Sequence, residues 1–202
     1  MSLNEVGTQA QVNAIVSALQ ASTGVHWNVS FSGLGNLVLS RLALSAASKC
    51  RYGTRSDGDG AYAAHVNVIV NGRTINLWAT HLSVDSAPNR ATEVRAMQAC
   101  AVAWTETRII SGDFNMQYGS PEYQIAAAGY ADAWLTAKAK GTAINYPGNC
   151  DGCTRSTRID YLFTSKGTTT LTLTSAQIFD TRDAKGVMAS DHKPMLVIYS
   201  VQ

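Results

Sequence analysis

A carboxylate and a carboxamide stand two positions apart in residues 109–115, Ile-Ile-Ser-Gly-Asp-Phe-Asn. The β-branched residues end a buried strand, and Gly112 lets the backbone turn. In an extended chain, residues i and i+2 point to the same side, so Asp113 and Asn115 are expected to converge on one bound group. Asp ligates hard cations and Asn both donates and accepts hydrogen bonds, which suits a phosphate and its metal ion. The same Gly-Asp-x-Asn pattern also occurs in ordinary turns.

Further acidic and histidine side chains stand at predicted strand ends or strand-to-loop turns. His81 continues the apolar face of its strand, which fits either the rim of a pocket or a core histidine satisfied by a neighbour. Glu5 lies where a strand meets a helix, which fits a functional carboxylate or a favourable charge near a helix N-terminus. Acidic groups hold hard cations, while histidines transfer protons and contact phosphate. The candidate set is Glu5, His81, Asp113, Asn115, Asp160, Asp191 and His192.

Hydrophobic periodicity predicts the elements that carry these residues. Helices are predicted at residues 8–22 with a capping box, from residues 85–88 onward, and from residue 121 to residue 129. The clearest hairpin joins strands 63–70 and 73–82 through Asn71-Gly72. Other strands are predicted at 27–31, 35–40, 109–110, 158–163, 171–179 and 195–199, and polar loops at 49–60, 145–157 and 180–189. This order predicts a layered α/β or α+β sandwich.

The composition fits one globular domain and permits, without requiring, an anionic substrate. The chain has 202 residues, of which 46% are hydrophobic and 15% charged, with a net charge of +2 and a pI near 8.4. No apolar run approaches the roughly 18 residues that cross a membrane. The N-terminus lacks the basic and apolar regions of a signal peptide, as would that of a mature or recombinant secreted protein.

The four cysteines carry information about the compartment. Cys150 and Cys153 flank Asp-Gly, which fits a small disulfide loop, a redox dithiol or half of a zinc site. A zinc site usually needs a second close pair, and a thioredoxin-like motif opens a helix, so we expect the disulfide. A disulfide in turn favours a secreted or periplasmic protein. Cys50 is isolated in the sequence, and Cys100 lies in a helical pattern where a buried thiol is expected.

Six motifs in a fixed order resemble those of the endonuclease/exonuclease/phosphatase superfamily. They are Glu5 within Leu-Asn-Glu-Val, residues 35–41, Thr80-His81-Leu82, residues 111–115, residues 158–161 and Ser190-Asp191-His192. The resemblance spans essentially the whole chain, and Gly-Asp-Phe-Asn combined with Ser-Asp-His is its most specific part. It implies a four-layer α/β/β/α sandwich, with two mainly antiparallel sheets flanked by helices. It also implies a divalent cation, usually Mg²⁺, with Mn²⁺ or Ca²⁺ as alternatives.

The resemblance assigns roles around the metal and the attacking water. It implies that Glu5 ligates the metal and that Asp191 is a further carboxylate near it. By the same resemblance, Asp113 and Asn115 bind and orient the attacking water and the phosphate.

The resemblance also assigns the proton chemistry. His192 would be the general base or a phosphate contact, and Asp160 its partner. His81 would hydrogen-bond the phosphate oxygens or assist the leaving group. This fits the physical requirement, because a carboxylate beside an imidazole fixes its tautomer and raises its basicity.

One feature departs from the family pattern. Family members begin with a core strand that carries an Asn near the metal, well before the glutamate, whereas Glu5 stands near the start of this chain. We therefore expect either an N-terminally truncated fragment or a lineage that lacks this strand. Its loss would leave a gap or an exposed edge in one sheet and remove one group from the metal site.

Basic and aromatic side chains in or near loops are candidates for substrate binding, because nucleic-acid enzymes need cations that follow phosphates. The candidates are Arg41, Lys49, Arg51, Tyr52, Arg55, Arg90, Arg95, Arg155 and Arg158, with Arg41, Tyr52, Arg90 and Arg158 preferred; ordinary surface charge is the alternative. No long apolar hairpin of a membrane-inserting sphingomyelinase is present. The pattern therefore favours a monomeric, metal-dependent endonuclease over a phosphatase or sphingomyelinase-type phosphodiesterase. A domain that binds phosphate or nucleic acid without turnover is a third alternative.

Overall fold

The computed structural model describes residues 1–33, 35–53, 62–104 and 107–202, within which there are four helices. They are α1 (Gln9–Thr23), α2 (Ala87–Ala101), α3 (Pro121–Gly129) and α4 (Ala133–Ala139). The first three coincide with the predicted helices, and α1 has the predicted capping box between Thr8 and Gln11. Helix α4 escapes prediction because its seven residues are too few to show a helical period. None of these helices combines the length and apolarity that a transmembrane segment needs.

The strands form one large and two small sheets. The large sheet has the order β4-β5-β6-β7-β10-β8 and comprises Ser45–Arg51, Tyr62–Val70, Arg73–His81, Thr107–Asp113, Asp160–Ser165 and Tyr130–Asp132. One small sheet has the order β1-β3-β2 and comprises Ser2–Val6, Gly35–Ser40 and Asn28–Phe31. The other has the order β12-β11-β9 and comprises Met195–Val201, Leu171–Ile178 and Ala143–Ile144. All pairings are antiparallel except β6 with β7 and β11 with β9.

Alternating burial along the strands builds the layers, because successive residues face opposite sides of a sheet. Leu39 of β3 packs with Val12 of α1, whereas its neighbour Val38 packs with Val66 of the large sheet. Tyr199 of β12 packs toward the same face of the large sheet, and α2 and α3 cover the other face. The predicted four-layer α/β/β/α sandwich is confirmed, with the second β layer divided into two three-stranded sheets.

Two local predictions near the large sheet have different outcomes. The hairpin at Asn71-Gly72 is confirmed: both residues have positive φ, 50° and 75°, as a type I′ turn requires. The predicted loop 49–60 is wrong for residues 49–51, which belong to β4, because their pairing with β5 overrides their polar composition. Residues 52 and 53 belong to no helix or strand, and residues 54–60, with Arg55, lie outside the described residues.

Register within the large sheet sets three chemistry-bearing side chains in a row. Strands β6 and β7 are parallel, so their carboxyl ends meet at one edge, and His81 pairs with Asp113. Strand β10 is antiparallel to β7 and begins at that edge, so Asp160 pairs with Asp113 from the other side. Neighbouring strands lie about 4.8 Å apart, so the three residues are adjacent by construction of the sheet.

Gly112 permits a close backbone approach rather than the expected turn. It lies inside β7 with φ of 145°, and a Cβ at this position would stand 1.8 Å from the carbonyl oxygen of Thr80 on β6. Any other residue would push apart the two strands that carry His81 and Asp113.

Both cysteine pairs form disulfides. Cys150 and Cys153 are bonded as expected, with their Cα atoms 5.3 Å apart. The expectation of a buried thiol at Cys100 is wrong, because Cys100 is bonded to Cys50, with a Cα separation of 6.1 Å. This second bond fastens α2 to β4, an edge strand of the large sheet, across 50 residues of sequence.

We expect the substitution Gly112→Ala to destabilise the protein by more than about 3 kcal/mol, because strain at positive φ adds to a clash with backbone. The matched control is Gly24→Ala, at the left-handed end of α1, where no atom lies within 4 Å of the added Cβ. That control should cost about 1 kcal/mol. Urea unfolding followed by circular dichroism measures both free energies. Equal costs for the two variants would contradict the close-approach interpretation.

Candidate functional site

Two histidines and two aspartates converge at the edge where β6 and β7 end. His192, in the loop before β12, places its Nδ1 atom 2.8 Å from Asp160 Oδ2 and its Nε2 atom 4.0 Å from Asp113 Oδ2. His81 Nε2 lies 3.7 Å from the same Asp113 oxygen. One potential ligand atom from each of Asp113, Asp160 and His192 falls within 4.8 Å of the others, so the three form a group that could hold a metal ion.

Glu5 borders this group from the small sheet. The pairing of β1 with β3 shifts between Leu3 and Val6, and Glu5 has a positive φ of 60° within this irregularity. Its side chain is 73% exposed, and its Oε1 atom lies 3.9 Å from His81 Nε2. The structure therefore brings the predicted metal-ligating glutamate to the open side of the cluster.

Asn115 reaches the site in a different way from the one its spacing predicts. The expected extended geometry is not found, because Asn115 adopts a left-handed conformation with φ of 49°. Its backbone N–H donates to Asp113 Oδ1 at 2.7 Å, and its side-chain Nδ2 donates to the carbonyl of Leu82 at 3.0 Å. Asn115 thus orients the Asp113 carboxylate through its backbone and anchors the segment after His81 through its amide.

The surroundings shift the pKa values of the two central groups upward. Burial raises the pKa of Asp113 to about 6, and the negative charge of Asp160 adds to this rise against the smaller opposing effects of the Asn115 N–H and both histidines. The hydrogen bond to Asp160 raises the pKa of His192 above its usual value, although partial burial opposes this. Both shifts favour the protonated form of the side chain.

Thr154 supports the His192–Asp160 pair. Its hydroxyl accepts from the backbone N–H of Asp160 at 3.2 Å, and its carbonyl accepts from the backbone N–H of Lys193 at 2.6 Å. Thr154 is fully buried and directly follows the Cys150–Cys153 disulfide, so the disulfide loop fixes both partners of the pair. Thr154 is not among the residues predicted from the sequence, and the one signal for it there is its place directly after the predicted disulfide.

Two predicted site residues lie in other ion pairs. Asp191 is exposed, and its Oδ2 atom lies 2.9 Å from Arg155 Nη2. Arg158 is buried, with its guanidinium 2.7 Å from Asp132 and stacked over aromatic rings. The structure thus gives Arg158 a structural contact, and neither residue joins the cluster.

The remaining predicted substrate contacts also lie outside the cluster. Arg90 pairs with Glu122 at 3.0 Å and donates to the carbonyl of Ser83, which ties the loop after β6 to α3. Tyr52 is buried, with its hydroxyl bonded to that of Thr80. Strand β3 begins near the site, where Gly35 pairs with Val6. Arg41 directly follows the other end of this strand. Arg41 is therefore at the far end of the small sheet.

The donor set fits a hard divalent cation. Carboxylate oxygens are the ligands that such cations prefer in proteins, and Asp113 and Asp160 offer them within the group that also contains His192. Glu5 offers a further carboxylate from the border of this group, 3.9 Å from His81. The repulsion that raises the pKa of Asp113 beside Asp160 is a cost that a divalent cation relieves.

We expect the variant Asp113→Asn to gain stability relative to wild type as the pH rises. An unfolded Asp ionises near 3.8 and the folded Asp113 near 6, so the folded state binds more protons and wild-type stability falls across this interval. Asn has no such loss, so the variant should gain roughly 1–3 kcal/mol between pH 4 and pH 7.5. Urea unfolding in EDTA at both pH values measures the difference. A gain that does not grow with pH would contradict the assigned pKa.

Comparisons with known proteins agree with this geometry. A family model described as the Endonuclease/Exonuclease/phosphatase family matches residues 1–192. No curated protein sequence matches the chain significantly.

Several solved structures have the same fold. An endonuclease/exonuclease/phosphatase from Bacteroides vulgatus is 14% identical, with a TM-score of 0.73 over 99% of this chain and 83% of its own. TDP2 from D. rerio, complexed with a single-strand DNA product, is 16% identical, with a TM-score of 0.69 over 99% of this chain and 85% of its own. A mannosyl-6-phosphatase from Bacteroides thetaiotaomicron is 14% identical, with a TM-score of 0.68 over 93% of this chain and 82% of its own. At such identities these structures show the fold alone. The family model covers nearly the whole sequence, and on that basis the chain belongs to the endonuclease/exonuclease/phosphatase family.

Proposed function

We propose that this protein is a divalent-metal-dependent phosphodiesterase that cleaves nucleic acid through in-line attack of an activated water. The observation that carries the proposal is the hydrogen bond between His192 Nδ1 and Asp160, which leaves Nε2 of His192 facing the Asp113 carboxylate. Membership of a family that includes hydrolytic phosphoesterases supports the reaction class.

The His192–Asp160 pair supplies the base. An ionised Asp160 only accepts hydrogen bonds, so Nδ1 of His192 carries the proton and the lone pair of the neutral imidazole is on Nε2. A water held between Nε2 and the Asp113 carboxylate would lose one proton to His192 as it attacks phosphorus. Asp113 would accept the water's other hydrogen and orient its lone pair. Because Asp160 raises the pKa of His192, the neutral base form is populated only toward neutral and higher pH.

His81 would stabilise the negative charge of the phosphate, together with a cation held by the neighbouring carboxylates of Glu5 and Asp113. The Nε2 atom of His81 stands between Asp113 and Glu5 and would donate a hydrogen bond to a phosphate oxygen or to the leaving oxygen. Glu5 and Asp113 would hold Mg²⁺ on their oxygens. A bound Mg²⁺ would stabilise the charge that grows on the phosphate and leaving oxygens. Asp191 would have to leave Arg155 to contribute.

Nucleic acid is the substrate class that we favour. Three cations lie near the site: Arg51 ends β4 opposite Tyr62, at the same edge of the sheet as His81, while Lys193 and Arg155 adjoin His192. Such cations suit a chain of phosphates. The TDP2 structure with a DNA product has the same fold, which agrees with this choice at the level of the fold. Phosphatase or sphingomyelinase-type activity is the competing outcome, since a mannosyl-6-phosphatase also has this fold.

The disulfides bear on where the protein works. Both pairs among the described residues would be reduced in a typical cytosol, so we propose that the protein functions as a secreted or periplasmic monomer.

A hydrolysis panel with and without EDTA tests the proposed function. The substrates are supercoiled plasmid DNA, RNA, sphingomyelin, phosphoinositides and a hexose 6-phosphate, each with excess MgCl₂. We expect DNA cleavage that EDTA abolishes and Mg²⁺ restores. The variant His192→Ala should lower the rate by about 10²–10⁴-fold, because it removes the base, while retaining the fold by circular dichroism.

The matched control is His26→Ala, an exposed histidine in the loop before β2, at the end of the small sheet away from the site. It should retain wild-type activity. Full activity of a folded His192→Ala protein, or cleavage that persists in EDTA, would refute the mechanism. Hydrolysis of the sugar phosphate or of sphingomyelin, with DNA left intact, would show that nucleic acid is the wrong substrate class.

A further inference from the structure

Asn4 connects three strands at the point where the site is assembled. Its side-chain Oδ1 accepts from the backbone N–H of Asp113 at 3.1 Å. Its Nδ2 donates to the carbonyl of Thr80 at 2.9 Å and to Asn36 Oδ1 at 2.6 Å. One amide therefore contacts β7 at Asp113, β6 at the residue before His81, and β3 of its own sheet.

These bonds cross between two sheets that no backbone ladder joins. Strand β1 belongs to the small sheet, while β6 and β7 belong to the large sheet. Asn36, which receives one of the Asn4 bonds, is fully buried and donates in turn to the carbonyl of Tyr62 on β5 at 2.9 Å. The amide side chains of Asn4 and Asn36, which are hydrogen-bonded to each other, thus link the two sheets at the edge that carries the site. Apolar packing elsewhere holds the layers together, but it is not directional and does not fix this alignment.

The backbone at this point leaves the regular pairing of β1. Leu3 and Val6 both pair with residues of β3, but the register shifts between them, so Asn4 and Glu5 form an irregularity in the strand. Bulges of this kind re-aim side chains. Here the Asn4 amide turns into the junction between the sheets, while the next residue, Glu5, projects toward His81 with an exposed carboxylate. The position of the Glu5 backbone relative to β6 and β7 therefore depends on the Asn4 bonds.

Only asparagine meets the requirements at this position. The site needs one acceptor for the Asp113 N–H and donors for Thr80 O and Asn36 Oδ1, within the reach of a short side chain. The carboxamide supplies both kinds of group. An aspartate would keep the acceptor but place a negative charge against two oxygens, and an alanine would leave the partly buried partners unpaired.

We propose that Asn4 is a positioning residue, which sets the Glu5 carboxylate against His81 and Asp113 and thereby determines the affinity of the site for a divalent cation. This inference rests on the proposed role of Glu5 as a metal ligand. Groups that orient metal ligands typically contribute 10–100-fold to metal affinity or activity. Asn4 itself touches neither the cation nor the substrate.

Calorimetric titration with Mn²⁺, without substrate, tests the inference. We expect Asn4→Ala and Asn4→Asp to weaken Mn²⁺ binding by about 10–100-fold. With DNA as substrate and saturating Mn²⁺, kcat should recover toward the wild-type value while KM stays the same, which a general loss of structure would not produce. The stability control is Asn76→Ala, because Asn76 is also buried and hydrogen-bonded, to His65, but lies five residues before His81 on β6.

Comparison with Glu5→Gln separates failure of this inference from failure of the proposed function. If Glu5→Gln weakens Mn²⁺ binding and both Asn4 variants bind as wild type does, the positioning role is refuted and the metal role of Glu5 stands. A loss in the Asn4 variants no greater than in Asn76→Ala refutes it in the same way. If wild type binds no Mn²⁺, or if Glu5→Gln binds it normally, the metal role fails and the inference fails with it. Asn4→Asp provides the measurement if Asn4→Ala does not fold.

Discussion

Burial of the Asp113 carboxylate beside Asp160 costs free energy, because loss of hydration and the neighbouring charge both favour the protonated form. The sheet holds the backbones of the two aspartates side by side. Asp113 and Asp160 are paired in register on neighbouring strands, and His81 is paired with Asp113 on the other side. Separating the two strands at this point would break the backbone ladder. The site instead surrounds the carboxylates with two imidazoles, a backbone N–H and, in the proposed function, a divalent cation.

The site draws on all three sheets, so its geometry depends on the junctions between them. The large sheet supplies His81, Asp113 and Asp160, one small sheet supplies Glu5, and the loop before the last strand of the other supplies His192. The Asn4 amide bonds the strand of Glu5 to the large sheet, and Thr154 contacts the loop of His192 through its backbone carbonyl and Asp160 through its hydroxyl. Residues outside the cluster therefore contribute to bringing the candidate site residues together.

Features that depend on neighbours in sequence are predictable from the sequence, and those that depend on distant partners are not. The Asn71-Gly72 turn requires a local backbone conformation that its residue types specify, and Asp160 could be recognised because it opens a strand. Burial of Arg158 could not be predicted, because its partner Asp132 belongs to a strand of three residues with no periodicity. The disulfide between Cys100 and Cys50 could likewise not be predicted, because residues 50 positions apart share no local sequence pattern. The family motifs could single out His81, Asp113, Asp160 and His192, which lie far apart in sequence and meet in the structure, because such motifs reflect distant contacts.

The central claim is that these carboxylates and histidines form a divalent-cation centre at the end of β6 and β7. Anomalous diffraction from crystals soaked in MnCl₂ tests it most directly, because the peak locates the ion without reference to activity. The account predicts one peak within about 2.0–2.6 Å of carboxylate oxygens of Glu5 and Asp113, with His192 still bonded to Asp160. Absence of a peak at saturating Mn²⁺, or a peak away from both carboxylates, would contradict it.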